Sequence, residues 1–227
     1  MTNKPVLPQK RHIGTIARQL TQPYTGAEVA AIDEFGLSVF LCQGMIAYHR
    51  HMDEDELFLI YSGAITIDSE MGPVFLRAGE MTVVPKGIRH RNASPLRSEV
   101  IIFQQRMLAN QRNGDRRLYA VDEVGALSKI NLYATALKMR QPFVPQPLVQ
   151  VDDFDVSLIV CEGTSEERYN PRWTALLLVQ QGDIDIHTDA GDVQLHVGDT
   201  LALPRGVRYA VSAESRALLL EFSRKAE

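Results

Sequence analysis

Long apolar runs, cysteines and any excess of one charge are all scarce in this 227-residue chain. No stretch approaches the ~18 consecutive apolar residues a membrane helix requires, and the segment from Met1 to Pro5 does not open a secretory leader. No membrane partner is therefore expected, and the expected location is the cytoplasm. Two cysteines, Cys42 and Cys161, are too few for a disulfide framework or a zinc knuckle. The net charge is −4 and the Lys and Arg residues are scattered, so the electrostatic footprint of a nucleic-acid binder is missing. A phosphate-cradling glycine loop, a Ser/His/Asp triad and a second carboxylate pair are missing too. What is present is an ordinary globular composition, 45% hydrophobic and 23% charged. At ~150 residues per domain, the length fits one large domain or two small ones.

An internal repeat decides between those options. Shifting the chain against itself by 119 positions aligns Ala17–Phe103 with Ala136–Phe222, without a gap and with 22 identities in 87 positions. Ile32 to Gly44 falls on Val151 to Gly163, Gly63 on Gly182 and Gly79 on Gly198. The turn Pro85-Lys86-Gly87 falls on Pro204-Arg205-Gly206. Chance would give roughly one match in seventeen, so the chain holds two copies of one unit.

Each copy reads as β. Leu37–Cys42, Leu57–Tyr61, Ala64–Ile67, Met81–Val84 and Val100–Phe103 are short aliphatic runs bounded by Gly, Pro, Asp or Asn. Many short strands with glycine-rich turns predict an all-β sandwich, jelly roll or barrel. The expected organisation is an N-terminal arm (1–16), a first barrel (17–103), a short mixed connector (104–135) and a second barrel (136–227). The connector is polar and basic up to Arg117, with a short helix expected over Leu118–Leu127.

Chemistry concentrates in the stretch from Tyr48 to Phe58. His49 and His51 are two residues apart, so on a strand both imidazoles leave the same face. Met45 and Ala47 share that face in regular alternation, which makes it the apolar interior. Burying an unpaired polar ring costs ~1–3 kcal/mol, and a shared divalent metal would supply the missing partner. Glu56 opens the next strand, with Phe58 and Ile60 as its interior neighbours, and His90 follows the turn Pro85–Gly87. Three imidazoles and a carboxylate suit Fe(II), Mn(II), Ni(II), Zn(II) or Cu(II). Asp53 and Glu54 read as a solvated loop. Arg50, Arg89 and Arg91 alternate with the histidines and are expected in surface salt bridges. Cys42 and Cys161 read as small core residues rather than reactive thiols.

The pattern Gly44, His49-x-His51-x4-Glu56-x6-Gly63, then Gly79-x5-Pro85-x-Gly87-x2-His90 resembles the two sequence motifs of the cupin superfamily. Because the repeat covers both halves, the whole chain is similar to a small bicupin. The resemblance implies two tandem double-stranded β-helix (jelly-roll) barrels. It also implies His49, His51, Glu56 and His90 as ligands of one divalent first-row metal, Fe(II) being favoured. Gly44 and His49 stand one residue closer than in the family pattern, and Ser94 occupies the motif's Asn position, with Asn92 nearby.

The second copy keeps the turns and loses the ligands. At the shifted positions Arg168 replaces His49, Asn170 replaces His51, Ala175 replaces Glu56 and Tyr209 replaces His90. The second barrel is therefore expected to lack a metal site and to serve as packing. An alternative gives it a pocket in which Arg168, Asn170 and Tyr209 hold a polar or anionic ligand, provided Arg168 faces inward.

Four protein ligands on a six-coordinate ion leave two positions open, and one carboxylate against a divalent ion leaves about one positive charge. Both features favour a small, chelating, partly hydrophobic molecule in a pocket lined by Met45, Phe58, Ile60, Asn92 and Phe103. The resemblance points to an enzyme of dioxygenase type. Non-oxidative Lewis-acid chemistry (isomerase, lyase or decarboxylase) and a non-catalytic metal or ligand binder remain alternatives. The expected partner is a small molecule, and homodimerisation is left open.

Overall fold

The computed structural model describes residues 10–106 and 125–225. The chain opens with β1 (Lys10–His12) and a single turn, α1 (Ile13–Ala17). The first repeat then supplies β2 (Gly26–Ile32), β3 (Phe35–Met45), β4 (Glu56–Ser62), β5 (Ala64–Ser69), β6 (Val74–Arg77), β7 (Glu80–Val84) and β8 (His90–Gln105). After β9 (Ile130–Asn131) and α2 (Leu132–Ala136), the second repeat supplies β10 (Gln146–Val151), β11 (Phe154–Thr164), β12 (Arg168–Tyr169) and β13 (Ala175–Gln181). It finishes with β14 (Ile184–Thr188), β15 (Gly191–Leu195), β16 (Asp199–Leu203) and β17 (Arg208–Arg224). The expected strands of the first copy are thus all present, within β3, β4, β5, β7 and β8. The helix expected over Leu118–Leu127 falls, up to residue 124, outside the described residues. No described helix is long and apolar enough to cross a membrane.

The described residues form two compact units. One takes in Thr15–Val29 and the described part of Glu34–Leu132; the other takes in residues 10–14, Ala30–Asp33 and the chain from Tyr133. In the first unit the sheet runs β2-β3-β8-β4-β7-β9, with the hairpin β5–β6 attached through β8. Strand β8 closes it. Its first residues pair with β5 (His90 opposite Ser69, Asn92 opposite Ile67) and its later ones with β4 (Ile102 opposite Phe58). Between these stretches the backbone steps outward at Pro95–Arg97, and the Ser94 and Ser98 hydroxyls both donate to Ala64 O across the step. Gly63 sits against this step at φ 83°, where a Cβ would fall 2.4 Å from Ser98 Oγ. Only glycine satisfies both demands there.

The same architecture recurs in the second unit, ordered β1-β16-β13-β17-β11-β10 with β12, β14 and β15 attached. Even the left-handed residues repeat: Tyr24 and Phe143 have φ 58° and 60°, Asp33 and Asp152 have 49° and 48°. Each barrel is completed by a strand that precedes the other repeat. β1 pairs with β16, where Lys10 Nζ reaches the buried Asp199 carboxylate at 3.3 Å; β9 pairs with β7, where Lys129 Nζ reaches Glu80 at 3.4 Å. Both interiors are apolar and mostly aliphatic. Phe58, Ile60, Ile65, Ile67, Val84 and Val100 lead the first, and Leu177, Val179, Ile184, Ile186, Leu203 and Leu219 lead the second. Cys42 and Cys161 are buried at equivalent places in these cores, and burial pushes the Cys161 thiol up to about 12.

Candidate metal centre

The segment between β3 and β4 is irregular, and four backbone bonds hold it over the barrel mouth. Ile46 N donates to Asn92 O, the His49 and His90 backbones exchange hydrogen bonds at 2.9 and 2.8 Å, and Gly87 N donates to His51 O. A loop without regular structure is thereby locked to the start of β8 and to the Pro85–Gly87 turn. The lock brings His49, His51, Glu56 and His90 together, with one ligand atom from each inside a circle where none is more than 4.8 Å from another. Asp55 stands outside this group and accepts the Lys86 backbone N–H.

The donor set fits a divalent ion. His90 Nε2 lies 3.1 Å and His51 Nε2 3.5 Å from Glu56 Oε2. Donors ~2.1 Å from a shared ion and at right angles about it stand roughly 3.0 Å apart. Each imidazole is also oriented from behind. The Nδ1 atoms of His49 and His90 face the carbonyls of Ala47 and Ile88, both at 3.1 Å, and His51 Nδ1 faces Glu54 Oε1 at 2.8 Å. Carbonyl and carboxylate oxygens have no proton to give, so Nδ1 carries the hydrogen and the Nε2 lone pair points to the centre.

The electrostatics follow from this crowding. Burial and the neighbouring His90 hold the His49 imidazole below its ordinary pKa. Burial works against protonation of His51 as well, yet the Glu54 hydrogen bond and the Glu56 charge raise it. Burial works against ionisation of Glu56, yet His90 Nε2 beside its Oε2 and the imidazoles of His51 and His49 keep its carboxyl below the ordinary value.

Several side chains depart from the sequence expectations. Glu54, expected in a solvated loop, is 1% exposed and is the partner of His51. Arg50, expected at the surface, is 3% exposed and paired with Glu70 at 3.2 Å. Arg89 and Arg91 do stay outside, stacked on the Tyr48 ring, with Arg91 also paired to Asp68. The expected pocket lining divides. Phe58 stands edge-on to the His90 ring at 5.9 Å, and Ile60 is in the same cluster. Asn92 is buried two residues beyond His90 on the same face, and its Oδ1 has no hydrogen-bond partner among the described residues. Phe103 and Met45 do not belong there. Phe103 leaves the opposite face of β8 from Ile102, the cross-strand partner of Phe58, and stacks on Phe35. Met45 is exposed because it pairs with Ala93 while His49 pairs with His90, so four steps on one strand face three on the other and the alternation counted back from His49 fails.

In the second barrel, Arg168 pairs with Tyr209 across the strands just as His49 bridges His90. Arg168 does face inward, but its charge is already satisfied. Nη1 donates to Glu221 at 2.8 Å and Nη2 to Phe143 O at 3.0 Å. Tyr209 is buried beside it, its hydroxyl pushed up to about 12 chiefly by burial. Asn170 Oδ1 accepts the backbone N–H groups of Arg172 and Trp173, so it caps a turn. A cavity of about 330 Å³ lies over Arg168, Tyr209, Ala175 and Glu221. Glu221 is missing from the sequence reading, although a single acid within the apolar run Leu218–Phe222 marks it.

Residues 38–102 match the family model of the Cupin domain. The first barrel is a cupin domain. Among curated proteins, the uncharacterized protein YdbB of Bacillus subtilis (strain 168) is 26% identical over 84 residues, spanning 37% of this chain and 74% of that protein. Among solved structures, a cupin 2 conserved barrel domain protein from Leptotrichia buccalis superposes with a TM-score of 0.71 at 15% identity, covering 96% of each chain. A salicylate 1,2-dioxygenase from Pseudaminobacter salicylatoxidans gives 0.70 at 12% identity, covering 99% of this chain and 87% of that one. A variant oxalate decarboxylase of Bacillus subtilis gives 0.63 at 12%, covering 97% and 78%. At such identities the likeness concerns the fold, and it extends across both barrels.

Proposed function

We propose that this cupin is a metal-dependent enzyme acting on a small, partly apolar, metal-chelating molecule, with dioxygenase-type cleavage as its reaction. The observation that carries the reading is the convergence of His49, His51, Glu56 and His90, each histidine aimed by an acceptor on its Nδ1. A divalent first-row ion held there, Fe(II) first among them, supplies Lewis acidity and, if redox-active, electrons for dioxygen. Four protein donors leave room for a bidentate ligand, or for one substrate atom beside dioxygen. Phe58 and Ile60 provide the apolar wall, while the Asn92 carboxamide offers a hydrogen-bonding group on the His90 face. The salicylate dioxygenase neighbour supports the oxidative form of this reading. The oxalate decarboxylase neighbour supports a second one, non-oxidative Lewis-acid chemistry on a carboxylate.

Metal analysis followed by oxygen-uptake assays tests the proposal. Iron-loaded protein is expected to consume dioxygen with some member of a panel of catechols, hydroxybenzoates and diketones. Turnover of a panel member without oxygen uptake would move the assignment to the non-oxidative reading. Metal retention with no turnover of any member would leave a binding protein.

A further inference from the structure

Glu54 lies outside the four-donor group, yet it is among the most deeply buried acids of the first barrel at 1% exposure. Its Oε1 is 2.8 Å from Nδ1 of His51, three residues earlier in the same loop. His49 and His90 are oriented by backbone carbonyls; His51 alone among the three is oriented by a carboxylate. A carboxylate differs from a carbonyl in two ways. It is a stronger acceptor, which makes the imidazole a better electron donor through Nε2, and it brings a full negative charge into a poorly solvated place.

We infer that Glu54 is a positioning residue for the metal: it fixes the tautomer and direction of His51 and strengthens that ligand through its charge. This rests on the metal-site reading above. It also alters the charge count that the sequence suggests. With Glu54 and Glu56 both buried, a divalent ion is balanced by two carboxylates instead of one. The assembled group is then neutral, and a ligand is held by chelation more than by net attraction. Burial of Glu54 has a local cause in the chain: the Met52 side chain is packed inward at 6% exposure, and the loop closes on the turn at Gly87 through His51 O. Glu54 is thereby carried beneath the histidine and away from solvent.

The test is a Zn(II) affinity measurement by competition with a chromophoric chelator on the full chain. The proteins are wild type, Glu54→Gln, Glu54→Ala, His51→Ala and the double variant Glu54→Ala/His51→Ala. Removing an outer-shell carboxylate is expected to weaken binding by about 10–100-fold in Glu54→Ala, with Glu54→Gln, which keeps an acceptor and loses the charge, in between. Because Glu54 acts chiefly through His51, the Ala substitution is expected to cost several-fold less affinity once His51 is absent, only the direct attraction of its charge for the ion remaining. Equal losses in the two backgrounds, or wild-type affinity in both Glu54 variants, overturns the inference. If instead His51→Ala binds like wild type, it is the ligand assignment that fails. Where His51→Ala binds too weakly to titrate, or Glu54→Ala does not fold, the absorption of Co(II)-loaded Glu54→Gln decides. Shifted ligand-field bands support the role, and bands superimposable on wild type overturn it.

Discussion

The two barrels share strand order, left-handed turn residues and buried cysteines, and they differ where their strands meet above the core. In the first, the His49–His90 pair brings in His51 and Glu56 to form a group whose ligand-type atoms all lie within 4.8 Å of one another. In the second, the matching Arg168–Tyr209 pair meets Glu221, which stands where the first barrel has Ile102. The mouth of a jelly-roll barrel is a poor place for a lone polar group, and the two halves solve this differently. One gathers electron-pair donors around a place for a cation. The other fills the place with a cation of its own, the Arg168 guanidinium, and neutralises it. The comparison teaches that a barrel mouth without the donor group can be held by a matched ion pair instead.

The sharpest way to break this contrast is to delete one polar residue from each mouth. His90→Ala is expected to lose metal by more than the ~10–100-fold that outer-shell changes cost, whereas Tyr209→Ala keeps the wild-type content. Elemental analysis of the purified variants reads both; equal losses would mean the site is not in the first barrel.

A smaller effect is expected from Glu221→Leu. Breaking a buried ion pair by removing one partner costs ~3–5 kcal/mol, and with side chains 21% and 16% exposed the figure here is roughly 1–3 kcal/mol. Urea unfolding should show that loss, with metal content unchanged, and Arg168→Met/Glu221→Met should recover most of it. A double variant no better than the single one would mean the pair is not the reason the second mouth is stable.

The subtlest test is pH. In metal-free protein the raised His51 pKa means stability is present below its ordinary value of about 6.5 and is lost as pH rises through the raised value. The lowered His49 pKa acts on the other side, since a buried neutral ring must become charged as pH falls below about 6.5. The lowered Glu56 pKa adds a further loss in acid, as its carboxylate is protonated below the ordinary value of 4.5. Stability in a chelator should therefore peak near pH 6.5. Loaded protein should instead gain stability above that pH, because protons compete with the metal for the imidazoles. Chemical denaturation at a series of pH values with and without metal checks the crossing. Parallel curves would separate the titrating histidines from the metal site.

Much of this was legible in the sequence because it depends on local spacing. The 119-residue repeat, the all-β character and the four donor residues all follow from patterns within a few dozen residues. Met45 shares a face with His49 only if alternate residues are counted along one regular strand, and such counting is no better for Phe103. Counting fails for Met45 because one extra residue lies between it, paired with Ala93, and His49, paired with His90. For Phe103 it gives no starting face, which only the pairing of Phe58 with Ile102 supplies. Arg50 is set outside by its alternation with the histidines and Glu54 by its acidic loop, and neither feature says how an irregular loop folds back on itself.

The sequence by itself determined the number of barrels, their kind and which of them carries ligand-type side chains, because these are properties of residue identity and period. Tertiary structure alone decided which acid lies behind His51, which guanidinium is buried and which residue neutralises Arg168. Each of those pairings joins groups in loops or across strands, where register and loop closure set the distance and no periodicity along the chain records it.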